Sequence, residues 1–378
     1  MKIIYCIAGT YNSGGMERVL ANKANYLVDQ GHEVAIVTTD QQGRAPYFTL
    51  NDHIKQYDLA INYVDDIDKS IVARVSTYLK KQKLHKQRLT KFLQQEHADI
   101  VISMFDHEVS FLHNIIDGSK KILEIHFSRF KRLQYGRGGI KGIIDSYRSK
   151  QDLRLAKKYD RFVVLTQEDK GYWGELPNIS VISNANTFEP KEVASLNAKQ
   201  AIAVGRYDYQ KGFDDLIQAW GLVKTQHPDW ILNIYGHGPL KEDLSKLINS
   251  LGLQEQVFLC PPTKAIEKAY CNSALALMTS RYEGLPMALL EAQACGLPMV
   301  SYTCKCGPRD IIIDGENGYL VPEGDINHFA DKVNQILASA KLRQQMGEKA
   351  RKRAKDFAVE RVMQQWTALF EQLTQTTK

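Results

Sequence analysis

Short apolar runs alternate with stretches of helical period along this 378-residue chain, and the series occurs twice. The first series runs "KIIYCIAG" (2–9), the helical "MERVLANKANYLVDQG" (16–31), "HEVAIVTT" (32–39), "ADIVISM" (98–104), "KKILEI" (120–125) and "RFVVLT" (161–166). "SVIS" (180–183) closes it, and the polar, aperiodic "NANTFEPKEVASLNAK" follows as a linker. The second series opens with "AIAVGR" (201–206) and the helical "GFDDLIQAWGLVKTQ" (212–226), then "WILNIYG" (230–236), "QVFLC" (256–260), "ALALMTS" (274–280) and "PMVSY" (298–302). Apolar runs this short, separated by helices, are the pattern of a parallel sheet covered on both faces. Two doubly wound, Rossmann-like α/β domains are therefore expected, with their boundary near residue 185. The late stretch "EKARKRAKDFAVERVMQQWTALFEQL" reads as helix. Ligands of such sheets bind beyond the carboxyl ends of the strands, so the turns there are where chemistry is expected.

Composition narrows the class. No run approaches the ~18–20 apolar residues of a membrane span, and "MKIIYCIAG" reads as a first buried strand rather than a targeting segment. None of the six cysteines forms a zinc-type CxxC pair, which favours reduced thiols in the cytoplasm. Cys304 and Cys306 form a CxC that either binds metal or simply places two small residues in a loop. The net charge of +6 lies wholly in the first half. Residues 69–95 carry basic residues and no acid, and 120–161 are strongly basic. A polyanionic partner or an anionic membrane surface suits that half.

The segment "EGLPMALLEAQACGLPMVS" (283–301) carries the most chemistry. A strand ends near Ser280, a turn follows, and Pro286 suits the first helical position because its missing N–H would be unpaired there. The helix is expected to stop at Gly296. Free amides and the positive dipole end at its start favour a phosphate. Glu283, just ahead of the helix, suits neutral hydroxyls beside that phosphate, and Glu291, inside it, a second set. That is a diol–phosphate–diol ligand, which describes a nucleotide sugar. The alternative is that Glu283 caps the helix and Glu291 is a solvated side chain.

Other strand-end turns bear on the same reading. In "VGRYDYQKG" (204–212) Arg206 and Lys211 can counter a diphosphate and stabilise it as a leaving group, or they are surface residues of a loop. Gly236 lies in "YGHGPLKEDL", where backbone can approach a ligand closely. In the first half, Gly14 and Gly15 of "GTYNSGGMERV" allow a phosphate near the first helix, but the spacing is not GxGxxG, which argues against nicotinamide binding. His126 of "LEIHF" is either a hydrogen-bonded structural residue or a contact to the reacting sugar.

Together the Glu283-x7-Glu291 segment, "GRYDYQKG", "SGGMERV" and "ENGYLVP" (316–322) resemble family 4 of the retaining glycosyltransferases with the GT-B fold, over essentially the whole chain. The resemblance implies two Rossmann-like domains facing a central cleft: 1–185 binding acceptor, 186–357 binding donor, and 358–378 a helix returning to the first domain. It implies retaining transfer of a hexose or N-acetylhexosamine from a nucleotide sugar, with a UDP-linked donor expected, and with no metal and no cofactor. Arg206 and Lys211 would hold the diphosphate, Glu283 the donor sugar and Glu291 the ribose hydroxyls. The loop backbone from Gly284 through Leu285 and Pro286 to Met287 would line the pocket, with Gly15 opposite and His126 beside the sugar. "CPPTKAI" (260–266) departs from the family's glycine-containing turn near the base, which leaves uridine and guanosine both open.

The acceptor is expected on the first domain, as a glycan or lipid-linked glycan of envelope biosynthesis, with no nucleic acid partner. Ile71, Val75, Tyr78, Leu89 and Leu93 fall on one helical face, and Lys80, Lys81, Arg88 and Lys91 on the other. "FSRFKRLQYGRGGIKGIIDSYRSK" (127–150), with Arg129, Lys131 and Arg132, mixes aromatics, glycines and cations as a membrane interface does. This implies a peripheral position on the inner face of the cytoplasmic membrane. Two competing functions are a sugar-nucleotide 2-epimerase of the same fold and a non-enzymatic basic module binding lipid or polyanion. The epimerase would need acid/base carboxylates and histidines in other places and fits the double-glutamate segment poorly, and the module would have no use for Glu283 and Glu291.

Overall fold

A computed structural model of the chain describes residues 1–66, 71–131 and 139–375. In chain order its regular elements begin β1 (Lys2–Ile7), α1 (Gly15–Asp29), β2 (Glu33–Thr38), β3 (Lys55–Asp58), α2 (Ile71–Glu96), β4 (Ile100–Ser103) and β5 (Lys120–Glu124). They continue α3 (Gly139–Ala156), β6 (Arg161–Val164), α4 (Gln167–Trp173), β7 (Ile179–Val181), β8 (Gln200–Val204), α5 (Phe213–Val223), β9 (Ile231–Tyr235), α6 (Lys241–Ser250) and β10 (Val257–Cys260). Last come α7 (Ile266–Cys271), β11 (Leu275–Met278), α8 (Met287–Ala294), β12 (Met299–Tyr302), α9 (Pro308–Ile311), β13 (Gly318–Val321), α10 (Ile326–Ala338), α11 (Ala340–Ala354) and α12 (Val359–Gln375). The chain divides into two compact units. One comprises residues 1–165, 170–182 and the chain from Val362 onward; the other comprises 166–169 and 183–361.

Each unit is built on one sheet. The first has strand order β3-β2-β1-β4-β5-β6-β7 and the second β10-β9-β8-β11-β12-β13. All the strand pairs are parallel, with register such as Ile4↔Ala35 and Ile4↔Val101 in the first and Leu277↔Val300 in the second. Both orders are doubly wound, and in each the strand order reverses beside the first strand of the unit. Chain direction explains the reading: Ile3, Ile4, Tyr5, Ile100, Val101 and Ile102 are all fully buried, so both strand faces are apolar. Burying one Leu or Ile side chain contributes about 1.5–3 kcal/mol, and the sheet centres are made of little else.

Two strands escaped the pattern. "KQYD" of β3 is a polar edge strand, largely exposed, with no apolar run to mark it. β13 falls in "GYLV", inside the "ENGYLVP" motif, read for its family resemblance and not as a strand. The terminal helical stretch is also two helices, α11 and α12, separated by a 3-10 turn at Lys355–Phe357 and an extended Ala358. Asn186 explains the break: its N–H donates to Phe357 O and its side-chain Nδ2 to Ala354 O, taking carbonyls that a continuous helix would have used. The linker of residues 183–199 carries no regular structure.

The α2 face is only half as expected. Leu89 and Leu93 are fully buried, but Val75 and Tyr78 are exposed; the side chain of Ile71 lies outside the described residues. On the opposite face Lys81 donates to Asn62 O, and Arg88 donates to the carbonyls of Leu59 and Ala60. Those two cations therefore close off loop carbonyls, while Lys80 and Lys91 stand exposed.

Candidate active site

The strongest candidate lies in the second unit, where two strand-to-helix turns meet. The turn after β8 carries Arg206 and Lys211, and Gly212 ends it in the left-handed region. The turn after β11 carries Glu283 and leads into α8. Lys211 Nζ lies 2.6 Å from Glu283 Oε1, and both side chains are largely buried, 19% and 8% exposed. Gln210 Nε2 reaches Tyr282 O at 3.0 Å and Glu283 Oε2 at 3.5 Å. Arg281 rivets the same two turns. Its Nη2 lies 2.7 Å from Asp214 Oδ2, its Nη1 donates to Tyr209 O at 2.8 Å, and its guanidinium stacks over the Tyr209 ring at 4.4 Å.

Pro286 stands one residue earlier than the spacing suggests, at the N-cap with extended ψ, and makes no side-chain cap. Leu289 and Leu290 both donate back to Pro286 O, which leaves the amides of Met287 and Ala288 without a helical acceptor. Glu283 therefore does not cap the helix; it pairs with Lys211. Nor is Glu291 solvated. It is buried, with Oε1 accepting from Thr187 Oγ at 2.8 Å and Oε2 from the Tyr270 hydroxyl at 3.1 Å. The helix ends at Ala294, followed by Gly296 at positive φ.

Two glycines hold this geometry by lacking a side chain. A Cβ on Gly307 would lie 2.4 Å from Pro286 Cδ and 3.0 Å from Gly284 O, and its φ of +95° is one that other residues rarely adopt. A Cβ on Gly236 would sit 1.9 Å from Gly205 O, so β9 and β8 turn against each other there. Gly236 was expected from its motif; Gly307 was not. Arg206 is 74% exposed and pairs with Asp208 at 2.6 Å instead of joining Lys211. Cys304 and Cys306 are buried, and Cys306 Sγ donates to Asp169 Oδ1 at 3.4 Å. Burial, with the charge of Glu283 beside it, pushes the Cys304 thiol well up, so it is an inert thiol at neutral pH.

In the first unit His126 follows β5, with Nε2 3.1 Å from Glu124 Oε1. Gly14 is the N-cap of α1 and Gly15 its first residue, and Glu17 folds back so that its Oε2 would lie 2.2 Å from a Cβ on Gly14. Burial pushes the Glu17 carboxyl up. Arg129 donates to Ser149 Oγ and stacks over Trp173 at 4.7 Å; Lys131 lies over the Phe127 ring at 4.4 Å. Arg132 lies outside the described residues.

Residues 13–185 match the model for Glycosyltransferase Family 4, and residues 185–353 match the model for glycosyl transferases group 1. The chain belongs to the family 4 glycosyltransferases. It is similar to an uncharacterised glycosyltransferase of Haemophilus influenzae, 29% identical over 97% of this chain and 99% of that one. It is also similar to the amylovoran biosynthesis glycosyltransferase AmsD of Erwinia amylovora, 36% identical over 55% of this chain and 61% of that protein. Among solved structures, S. aureus TarM superposes with a TM-score of 0.79 at 20% identity, covering 98% of this chain and 99% of TarM. That likeness establishes the GT-B fold of this glycosyltransferase.

Sequence reasoning missed Thr187, Gln210, Tyr270, Arg281 and Gly307, all in the second unit of the glycosyltransferase. Their local sequence is unremarkable; folding brings Thr187 and Tyr270 to Glu291, Gln210 to Glu283, Arg281 to Asp214 and Gly307 to Pro286.

Proposed function

We propose that this glycosyltransferase moves a hexose or N-acetylhexosamine from a UDP-linked donor to a hydroxyl of a glycan or lipid-linked glycan of the cell envelope, with retention at the anomeric carbon. The observation that carries this reading is the buried Lys211–Glu283 pair beside the free amides of α8. Lys211 has three N–H donors and spends one on Glu283, so two remain for phosphate oxygens. Among the described residues Glu283 Oε2 meets Gln210 Nε2 alone, at 3.5 Å, and retains capacity to accept from a sugar hydroxyl. As the glycosidic bond breaks, charge grows on the diphosphate. Lys211, the backbone N–H groups of Gly284, Leu285 and Met287, and Arg206 after leaving Asp208 stabilise it there. The acceptor hydroxyl enters on the face the diphosphate leaves, and a phosphate oxygen takes its proton. Side-chain cations supply the counter-charge, so the reaction proceeds without a metal or cofactor.

Relatives support the substrate class. A lipopolysaccharide 1,6-galactosyltransferase of Salmonella typhimurium is 35% identical over 36% of this chain, and solved neighbours include TarM with UDP and a pneumococcal O-GlcNAc transferase with UDP and GlcNAc. Membrane association rests on α3, where Ile143 and Tyr147 are 71% and 64% exposed next to Arg148 and Lys150, and on Leu79 beside Lys80 in α2. Among the described residues no helix is long and apolar enough to cross a membrane, so the contact is peripheral.

Purified protein is incubated with a panel of nucleotide sugars, with and without chelator, and nucleotide release and product anomer are read by NMR. Release from a UDP-sugar with retained configuration, unaffected by chelator, is expected. No turnover and no thermal shift with any member, or an inverted product, overturns the reading. Product from a UDP-sugar epimerised without acceptor would favour the epimerase instead. Co-sedimentation with anionic but not neutral vesicles, lost in Ile143→Glu, tests the membrane contact.

A further inference from the structure

Residues 303–307 join β12 to α9 and lie behind the turn that leads into α8. Tyr282 and Lys305 form an isolated parallel bridge, and Glu283 N–H donates to Lys305 O at 3.4 Å. Because a Cβ on Gly307 would strike Pro286 Cδ and Gly284 O, the Gly307 backbone rests directly on that turn. Two successive residues of the loop have left-handed backbone. One is Gly307, with φ +95°; the other is Cys306, which carries a side chain and still has φ +67°. A residue with a side chain persists there only when its surroundings hold it.

The start of α4 does the holding. Residues 166–169 belong to the second unit. Thr166 Oγ accepts from Asp169 N–H at 3.0 Å, the threonine half of a capping box, which fixes the first turn of the helix. From that turn Glu168 Oε2 accepts from Cys306 N–H at 3.2 Å, and Asp169 Oδ1 accepts from Cys306 Sγ at 3.4 Å. Glu168 Oε1 lies 3.4 Å from Arg309 Nη1. Cys306 is fully buried and Asp169 nearly so. The far end of α9 is secured separately, by Arg353 Nη2 on Asp310 O at 2.7 Å and Asn317 Nδ2 on Ile311 O at 3.1 Å. Cys306 is thus the point where the loop is both strained and gripped.

We propose that Glu168 is a positioning residue for glycosyl transfer: it holds Cys306 in the left-handed region, which seats Gly307 against Gly284 and Pro286 and fixes the donor turn before the nucleotide sugar arrives. That this turn takes a diphosphate rests on the reading above; the strain and the grip are properties of the protein alone. The buried Cys306 N–H needs an acceptor, and a carboxylate gives it a charge-assisted bond. While that bond stands, relaxing Cys306 toward negative φ would break it. Without the carboxylate Cys306 relaxes, Gly307 moves off Pro286, and the N–H groups of Leu285 and Met287 lose their fixed direction. Donor must then order the turn as it binds, and its affinity falls by the fraction of molecules still ordered.

The test uses the full chain, with hydrogen exchange read by mass spectrometry and UDP as the binding probe in calorimetry. In Glu168→Ala, exchange over 303–311 and over 280–290 should quicken about tenfold or more, and the UDP Kd should rise about tenfold. Glu168→Gln, whose amide oxygen still accepts from Cys306 N–H, should stay within about threefold of wild type in both measurements. Arg309→Ala, which removes only the ion pair, should do the same. Glycine adopts positive φ without being held, so Glu168→Ala/Cys306→Gly should recover most of the protection and UDP affinity lost in Glu168→Ala. A glutamate that merely stabilised the fold would not be rescued by that second change. Should Glu168→Ala fail to fold, the double variant is still expected to fold, and its failure overturns the proposal. Wild-type exchange over 280–290 in Glu168→Ala, or no recovery in the double variant, overturns it whether or not any nucleotide binds. The expected exchange pattern with no UDP binding by wild type overturns only the functional reading.

Discussion

Lys211 Nζ and Glu283 Oε1 lie 2.6 Å apart although 72 residues separate them in the chain. The contact joins the turn after β8 to the turn after β11, neighbouring strands in the second sheet. Removing one partner leaves the other buried and unpaired, which costs about 3–5 kcal/mol in a fully buried pair and less here, where Lys211 retains some solvent. Lys211→Met and Glu283→Gln should each lower the melting temperature and cut nucleotide release at least about 100-fold. The double variant should recover stability and no activity. Thermal melts and turnover of the same preparations separate the two effects.

Glu291 is gripped by Thr187 and Tyr270. A hydrogen bond to a charged group contributes about 1.5–3 kcal/mol. Tyr270→Phe should lower stability by about that amount and raise the donor KM several-fold with little change in kcat, because Glu291 would still be present but less well aimed. Denaturant melts and steady-state kinetics check this.

Gly307 and Gly315 both have positive φ, but only Gly307 has Pro286 and Gly284 against it; nothing lies within 4 Å of a Cβ on Gly315. Gly315→Ala should cost about 1 kcal/mol, the backbone term alone, and Gly307→Ala clearly more, because the overlap adds to it. Urea unfolding of the two variants makes the comparison, and only Gly307→Ala should weaken donor binding.

Glu108 gives the first unit a pH dependence. Burial, with Asp106 nearby, pushes its carboxyl up to about 8, and Oε1 takes the Ser103 hydroxyl. The folded pKa is above the unfolded one, so the native state holds the proton more tightly. That contribution is complete below the unfolded value of about 4.3 and is lost as pH rises through about 8. Glu108→Gln, permanently neutral, should flatten the fall in melting temperature between about pH 5 and 8. An equal fall in both proteins would remove Glu108 as its source.

The order of strands and helices was legible because buried parallel strands are written as uninterrupted apolar runs, and β1, β4, β8 and β11 all are. β3 was not, since an edge strand that buries only part of Tyr57 against the core needs no such run, and the α11–α12 break was not, since Asn186 supplies it from 168 residues away. The glutamate pair could be read as chemistry because its turn and helix are local features.

By itself the sequence determined two doubly wound units and the family to which they belong, since period, turn residues and motif spacing are properties of neighbours along the chain. Which groups pair was left to the tertiary structure: Lys211 with Glu283 but Arg206 with Asp208, Glu291 with Thr187 and Tyr270, Lys23 with Glu124. Charges and hydrogen bonds act through space over a few ångströms, and only the fold sets those distances.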